Sequence, residues 1–273
     1  MFKMIRAKSL ALALGGALAL AAPAHAHRAW MLPSTFTLSG EEQYVTVDAA
    51  VSNNLFYPNH VAMGLDDLEV TRPDGSKAEL ENAHRLKFRS VFDVKLDQQG
   101  TYKISTSGAG YFASWTEDGK PQRKRGSLED LLAAGIDKKP GAEIRKSVRR
   151  TETFVTLGAP SEEVFAPSGS GLELQPVTHP NDVYAGEEVS FRFLKDGKPA
   201  GGIEVDIVRG EDRYRDAEDK LTVKAGDDGL VAFTLDTPGR YWLSAGDSGE
   251  TTVNGMKMQQ TLSYVATIEA LPN

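Results

Sequence analysis

One order of short strands is written into this chain twice. Gly40-Glu41-Glu42 and the alternating Tyr44-Val45-Thr46-Val47 return as Gly186-Glu187-Glu188 and Val189-Ser190-Phe191-Arg192-Phe193. Leu96-Asp97-Gln98-Gln99-Gly100-Thr101-Tyr102 returns as Leu235-Asp236-Thr237-Pro238-Gly239-Arg240-Tyr241. From 40 to 186 and from 96 to 235 the offsets are 146 and 139, so one unit of domain size is used twice. Period-two alternation between turn signals such as Pro73-Asp74-Gly75, Asp196-Gly197-Lys198-Pro199 and Asp227-Asp228-Gly229 specifies strands. The repeated Asp-x-x-Gly-x-Tyr reads as a corner, where a tyrosine hydroxyl turns back to the backbone and glycine permits the close approach. The expected fold is all-β, with two tandem immunoglobulin-like β-sandwich domains following a cleaved signal peptide.

The signal peptide is read from residues 1–26. Lys3, Arg6 and Lys8 make a basic start, Leu10 to Ala22 is apolar, and Ala24-x-Ala26 supplies the small residues before a cut. The apolar run of about 13 residues falls short of the roughly 20 that a spanning helix needs, so the chain is expected not to span a membrane. With no cysteine, a lipid anchor, disulfides and thiolate ligands are all excluded, and a periplasmic location is expected. Cleavage removes three positive charges and no negative ones, taking the formal charge from −7 to −10. Nucleic acid is a poor partner for that balance.

The boundaries follow from the same pattern: 27–160 for the first sandwich, 161–171 for a Pro-, Ser- and Gly-rich linker, and 172–273 for the second sandwich. Trp30 to Pro33 reads as an edge strand. Val45 to Val51, Leu68 to Thr71 and Leu86 to Leu96 read as strands, the last with Phe88, Val91, Phe92 and Val94 as apolar side chains. Ser52 to His60 is a loop expected to project from one end of the sandwich. Tyr111 to Trp115, Thr151 to Leu157 and Leu262 to Ala270 are further strands, and Leu128 to Leu132 is a short helical candidate. Around 117–150 lies a charged insertion carrying Arg123-Lys124-Arg125 and a second cluster of Arg145, Lys146, Arg149 and Arg150. It reads first as a solvated segment and second as a basic docking site.

The opening His-x-x-Trp-x-x-Pro, the strand Thr153-Phe154-Val155-Thr156-Leu157-Gly158, and the later Leu172-Glu173-Leu174, Asp196-Gly197-Lys198-Pro199, Asp228-Gly229 and Pro238-Gly239-Arg240-Tyr241-Trp242 together carry a likeness. Through them the chain resembles the DUF4198 family of exported bacterial proteins, formerly described as NikM-like and nickel-transport-associated. The resemblance covers nearly all the mature chain and rests on turn and core positions. It implies a link to metal uptake, with an envelope transporter or receptor as partner, and carries over no catalytic residue.

Cleavage after Ala26 would leave His27 at the terminus, offering an α-amine and a ring nitrogen to one ion. The alternative is an accident of where the peptidase cuts. His60, in the aromatic loop, is the second candidate and His179, in Thr-His-Pro-Asn-Asp, the third; His84 in a charged run reads as a surface residue. Such nitrogen donors suit a divalent transition metal, here copper, nickel or cobalt. If His27 and His60 converge, amine and two rings form a histidine brace, a ligand set similar to that of copper-carrying periplasmic sandwiches and copper-dependent polysaccharide oxidases. Asp48 or Asp182 could add an oxygen.

The function expected is therefore a non-enzymatic, metal-binding protein for uptake or delivery. The alternatives are an envelope adaptor without metal and a copper oxidase with Tyr57, Tyr111 and Trp115 as its substrate face. No Gly-x-Ser-x-Gly, His-Glu-x-x-His, P-loop or dinucleotide glycine motif is present.

Overall fold

Both corners form. In the computed structural model, which describes residues 27–273, the hydroxyl of the buried Tyr102 accepts hydrogen bonds from the N–H groups of Asp97 and Gln98 at 2.9 and 2.7 Å and donates to Asp97 Oδ1 at 3.2 Å. Tyr241 donates to the Thr237 carbonyl at the equivalent turn. Gly100, at φ +122°, has no room for a side chain, because a Cβ there would lie 2.8 Å from both Pro73 Cβ and Ser161 Oγ. Tyr102→Phe leaves two backbone donors unpaired and is expected to cost about 1–3 kcal/mol in urea unfolding, more than Tyr241→Phe, which loses a single bond. Equal costs would count against the corner as the cause.

The strands assemble into three sheets. The first domain closes a sheet in the order Arg28–Pro33, Gln43–Ser52, Ser90–Leu96, Glu81–Arg85. The second domain closes a smaller one around Glu188–Lys195, with Leu172–Pro176 and Leu230–Thr234 beside it. Between them runs one sheet of 10 strands shared by both domains. Its seam is the parallel pairing of Glu143–Leu157 with Met256–Ala270, from Arg145↔Gln259 to Thr153↔Thr267.

The two cores lie on opposite faces of that shared sheet. Val155 and Leu157 point into the first core with Val47, Phe92 and Tyr102. Leu262, Tyr264, Ala266 and Ile268 point into the second with Phe191, Phe193 and Leu243. Directly paired residues share a face, and the pairs Thr151↔Val265 and Glu152↔Ala266 match odd with odd and even with even, so the two sets face opposite ways. A third cluster, of Trp30, Ala50, Leu55, Val208, Trp242 and Val265, joins the domains.

One sequence expectation is corrected and two others gain detail. Residues 86–89 are a turn closed by Leu86 N to Arg89 O at 2.9 Å, and Leu86 and Phe88 are exposed, so the strand is Ser90–Leu96. The 161–171 linker packs on the first domain, with Val164 and Phe165 buried against Phe154. The 117–150 insertion is largely regular structure. The strand Gly100–Glu117 runs on for 18 residues, pairs with Lys120–Gly126, and is covered on one side by the helix Leu128–Ala133. The helix starts where Ser127 Oγ accepts the Asp130 N–H, with Glu129 and Asp130 in its first turn. No helix among the described residues is long and apolar enough to cross a membrane. The signal-peptide reading falls on residues outside those described.

Beside the seam sits a buried ionic group. Arg150 lies between Glu152, at 3.4 Å, and Glu173, at 3.5 Å, with side-chain exposures of 15%, 5% and 7%. Tyr264 donates to Glu152 at 2.8 Å. Burial alone would raise the Glu173 carboxyl, but the Ser168 hydroxyl and N–H, the Gly169 N–H and Arg150 outweigh it and hold it below the usual range. Burial and the neighbouring Glu152 carboxylate push Tyr264 well above an ordinary tyrosine.

Candidate functional site

The strands Arg28–Pro33 and Val61–Ala62 flank the end of Gln43–Ser52, since Val51 pairs with Ala29 on one side and with Val61 on the other. His27 immediately precedes the first of these strands and His60 the second, so the sheet delivers both to one end of one strand. Their rings stack, with centroids 3.7 Å apart and planes 5° from parallel. Both side chains are exposed. Among the described residues neither ring makes a hydrogen bond.

The loop between them is held from below. Trp30 Nε1 donates to Ser52 Oγ at 2.7 Å, and Ser52 Oγ donates to the Asn54 carbonyl at 2.5 Å. Asn59 Oδ1 accepts the Asn53 N–H at 2.9 Å, and its Nδ2 donates to Asn54 Oδ1 at 3.1 Å. Phe56, at φ +58°, seats its ring edge-on to Trp30. Gly210 of the second domain lets it do so, because a Cβ at 210 would come within 2.6 Å of the Phe56 ring.

The second domain supplies one wall that sequence reasoning missed. Arg28 reaches Asp212 at 3.4 Å and also pairs with Glu218, while its guanidinium lies 5.3 Å from the centre of the Trp242 ring. Asp212 Oδ2 accepts the Leu55 N–H at 3.2 Å, and the Arg213 guanidinium stacks over Tyr57 at 3.9 Å. These contacts join residues 156 to 214 apart in the chain, so no local pattern announces them.

A family model described as "Domain of unknown function (DUF4198)" matches residues 24–249. The chain belongs to the DUF4198 family. No curated protein matches it. Among solved structures, this DUF4198 member aligns with the "D0-D1 domain of Intimin" over 86% of its own length and 96% of that chain, at 13% identity and a TM-score of 0.19. "Escherichia coli alpha-2-macroglobulin activated by porcine elastase" aligns over 88% of this chain and 30% of that one, at 11% identity and a TM-score of 0.22. The full ectodomain of mouse nectin-like molecule 4 aligns over 88% and 64%, at 10% identity and 0.19.

In this DUF4198 chain His179 is not brought to the other two histidines. Its neighbour Asn181 donates to the carbonyls of Phe36 and Phe154 at 2.6 and 3.0 Å. Phe36 lies past the far end of the six-residue strand that His27 precedes, a strand length of about 20 Å. Both ring nitrogens of His179 are spent. Nδ1 accepts the Asn181 N–H at 3.1 Å, which leaves the proton on Nε2 to be donated to Thr101 Oγ1 at 3.0 Å. Its place is structural, at the junction of the domains.

Burial lowers the proton affinity of the His179 ring below its ordinary value of 6.5, against the raising pull of a Ser161 backbone hydrogen bond and of Asp182 and Glu162. A depressed folded value means that the unfolded chain binds the proton more readily. The stabilisation is therefore complete above about pH 6.5 and lost as pH falls through the folded value. Between about pH 7 and 5 the urea midpoint is expected to fall, and His179→Gln to flatten that slope; an unchanged slope would remove His179 as its source.

Asp48 is occupied by Arg89 at 3.1 Å. Tyr111 and Trp115 pack on the cluster of Ala113, Leu131 and Ile136, which leaves Tyr57 alone of the three aromatics in the loop beside His60. His84 stands on the fully exposed strand Glu81–Arg85.

The pair fits a metal only under two conditions. Among the described residues no three His, Cys, Asp or Glu side chains converge, so a third donor has to come from the His27 α-amine once its peptide bond is cut. Stacked rings also hold their in-plane lone pairs in two parallel planes. One ring has to swing about its side-chain torsions before two bonds of about 2 Å can meet at one ion, and exposure leaves both rings free to do so.

Proposed function

We propose that the mature chain is a periplasmic metal-binding protein serving the uptake or delivery of copper, nickel or cobalt. His27 chelates through amine and ring, and His60 adds the second imidazole. The observation that carries the reading is the 3.7 Å approach of two solvent-facing rings drawn from residues 33 positions apart. Unbonded imidazoles at that separation hold nitrogen donors suited to these ions. No catalytic group is invoked, and an envelope transporter or receptor is the partner that would accept the ion.

The test separates this function from a metal-free adaptor. Intact mass of the exported protein should show a chain beginning at His27. That protein should bind Cu²⁺, Ni²⁺ or Co²⁺ with one ion per chain, and a form carrying one extra residue before His27 should bind far more weakly because its terminal amine is displaced from the ring. Equal affinity of the two forms, or a natural terminus elsewhere, would defeat the proposal.

A further inference from the structure

Past the first core, one face of the shared sheet stays open and strongly basic. Arg125 and Arg145 both pair with Phe112, Ser147 pairs with Gly110, and Arg149 with Gly108. Alternation puts Arg125, Phe112, Arg145, Ser147 and Arg149 on that face and turns Arg150 to the buried side. The glycines make a low floor from which the arginines rise. An open cleft of about 650 Å³ is lined by Arg125, Arg145, Lys146 and Arg149 together with Phe112, and by no carboxylate.

Among the described residues, Arg145 alone of these cations touches an acid, Glu143 at 2.8 Å, and that pair is well exposed. Such a surface pair holds the charge only weakly. Arg125 stacks over Phe112 at 5.9 Å, and Arg149 donates to Ser147 Oγ at 3.2 Å. The other face of these strands is already covered by the Leu128–Ala133 helix.

We propose that this face docks the chain onto an anionic lipid surface, with the arginines taking several phosphate headgroups and Phe112 seated among them. The spacing selects a surface over a single small anion. Arg125 and Arg145 are two strand spacings apart, about 10 Å, and Arg145 and Arg149 are about 13 Å apart along the strand. One phosphate cannot bridge those distances, whereas a field of headgroups meets all three. Charge complementarity also favours one orientation, because the chain as a whole carries −7 while this basic face is drawn to a negative surface. The inference is independent of the histidines.

The mature protein is sedimented with vesicles of phosphatidylcholine alone and with vesicles containing phosphatidylglycerol. Binding is expected only to the second, weakening as salt rises. The triple variant Arg125→Gln, Arg145→Gln, Arg149→Gln should lower the partition coefficient by about 100-fold, roughly fivefold per arginine. Removing three exposed lysines elsewhere, Lys87→Gln, Lys198→Gln and Lys224→Gln, changes net charge equally and should leave most of the binding. The triple lysine variant at 125, 145 and 149 should retain it too, which guards against misfolding as the cause. Equal binding to both vesicles, an equal fall in both glutamine triples, or capture of a soluble polyanion with no vesicle binding would each overturn the proposal.

Discussion

Replacing Arg150 with alanine should lower the unfolding free energy by about 3–5 kcal/mol, the largest single loss expected from any charged residue in the chain. The side chain is 15% exposed and sits between Glu152 and Glu173, at 5% and 7%. It also donates to Ser168 Oγ at 3.0 Å and to the Ser170 carbonyl at 3.2 Å. Removing it leaves two like charges under the surface with no counter-charge, and total stabilities of such domains are only about 5–15 kcal/mol. Lysine should rescue little, because one ammonium cannot copy a guanidinium's several directed bonds. Removing all three charges as Arg150→Met with Glu152→Gln and Glu173→Gln should recover much of the loss. Urea midpoints of the variants decide the matter. A cost below about 1 kcal/mol for Arg150→Ala would mean the group behaves as a surface pair.

Metal affinity should collapse when His60 becomes alanine. Loss of partners that merely orient a ligand costs about 10–100-fold in affinity, so loss of a donor itself should cost at least about 100-fold. Competition against a chelator of known strength, run with Cu²⁺, Ni²⁺ and Co²⁺, reads this directly. His84→Ala is the matched comparison, an exposed histidine on a strand with no part in the pair. Equal affinities for the two variants would end the case for His60. The fold should be untouched, because the loop is anchored by Trp30, Ser52 and Asn59 rather than by the imidazole.

Much of this was legible in the residues. Asp97 to Tyr102 and Asp236 to Tyr241 announced both corners because a corner is made within six residues. The edge strand at Trp30 and the loop ending at His60 were likewise readable from local alternation and turn formers. What escaped was everything decided at long range. The parallel seam joins Arg145 to Gln259 with no local signature, and Asp212 meets Arg28 across the domains. Arg149 and Arg150 are adjacent and alike in the sequence, yet one faces solvent and the other is largely covered, at 15% exposure; only the position of the second core separates them. His179 misled for the same reason, since Thr101, which fixes its ring, lies 78 residues away. Phe88 misled by hydrophobicity alone, being part of a tight turn.

The shared sheet has a bearing on how this protein can be taken apart. Nine ladder positions join its two halves, so expressing either half separately would bare an unpaired strand border of the kind that draws chains into aggregates. Folding must also wait for partners more than a hundred residues distant, which slows closure and favours a single cooperative melting transition over two. The tandem repeat written in the sequence thus describes ancestry better than autonomy.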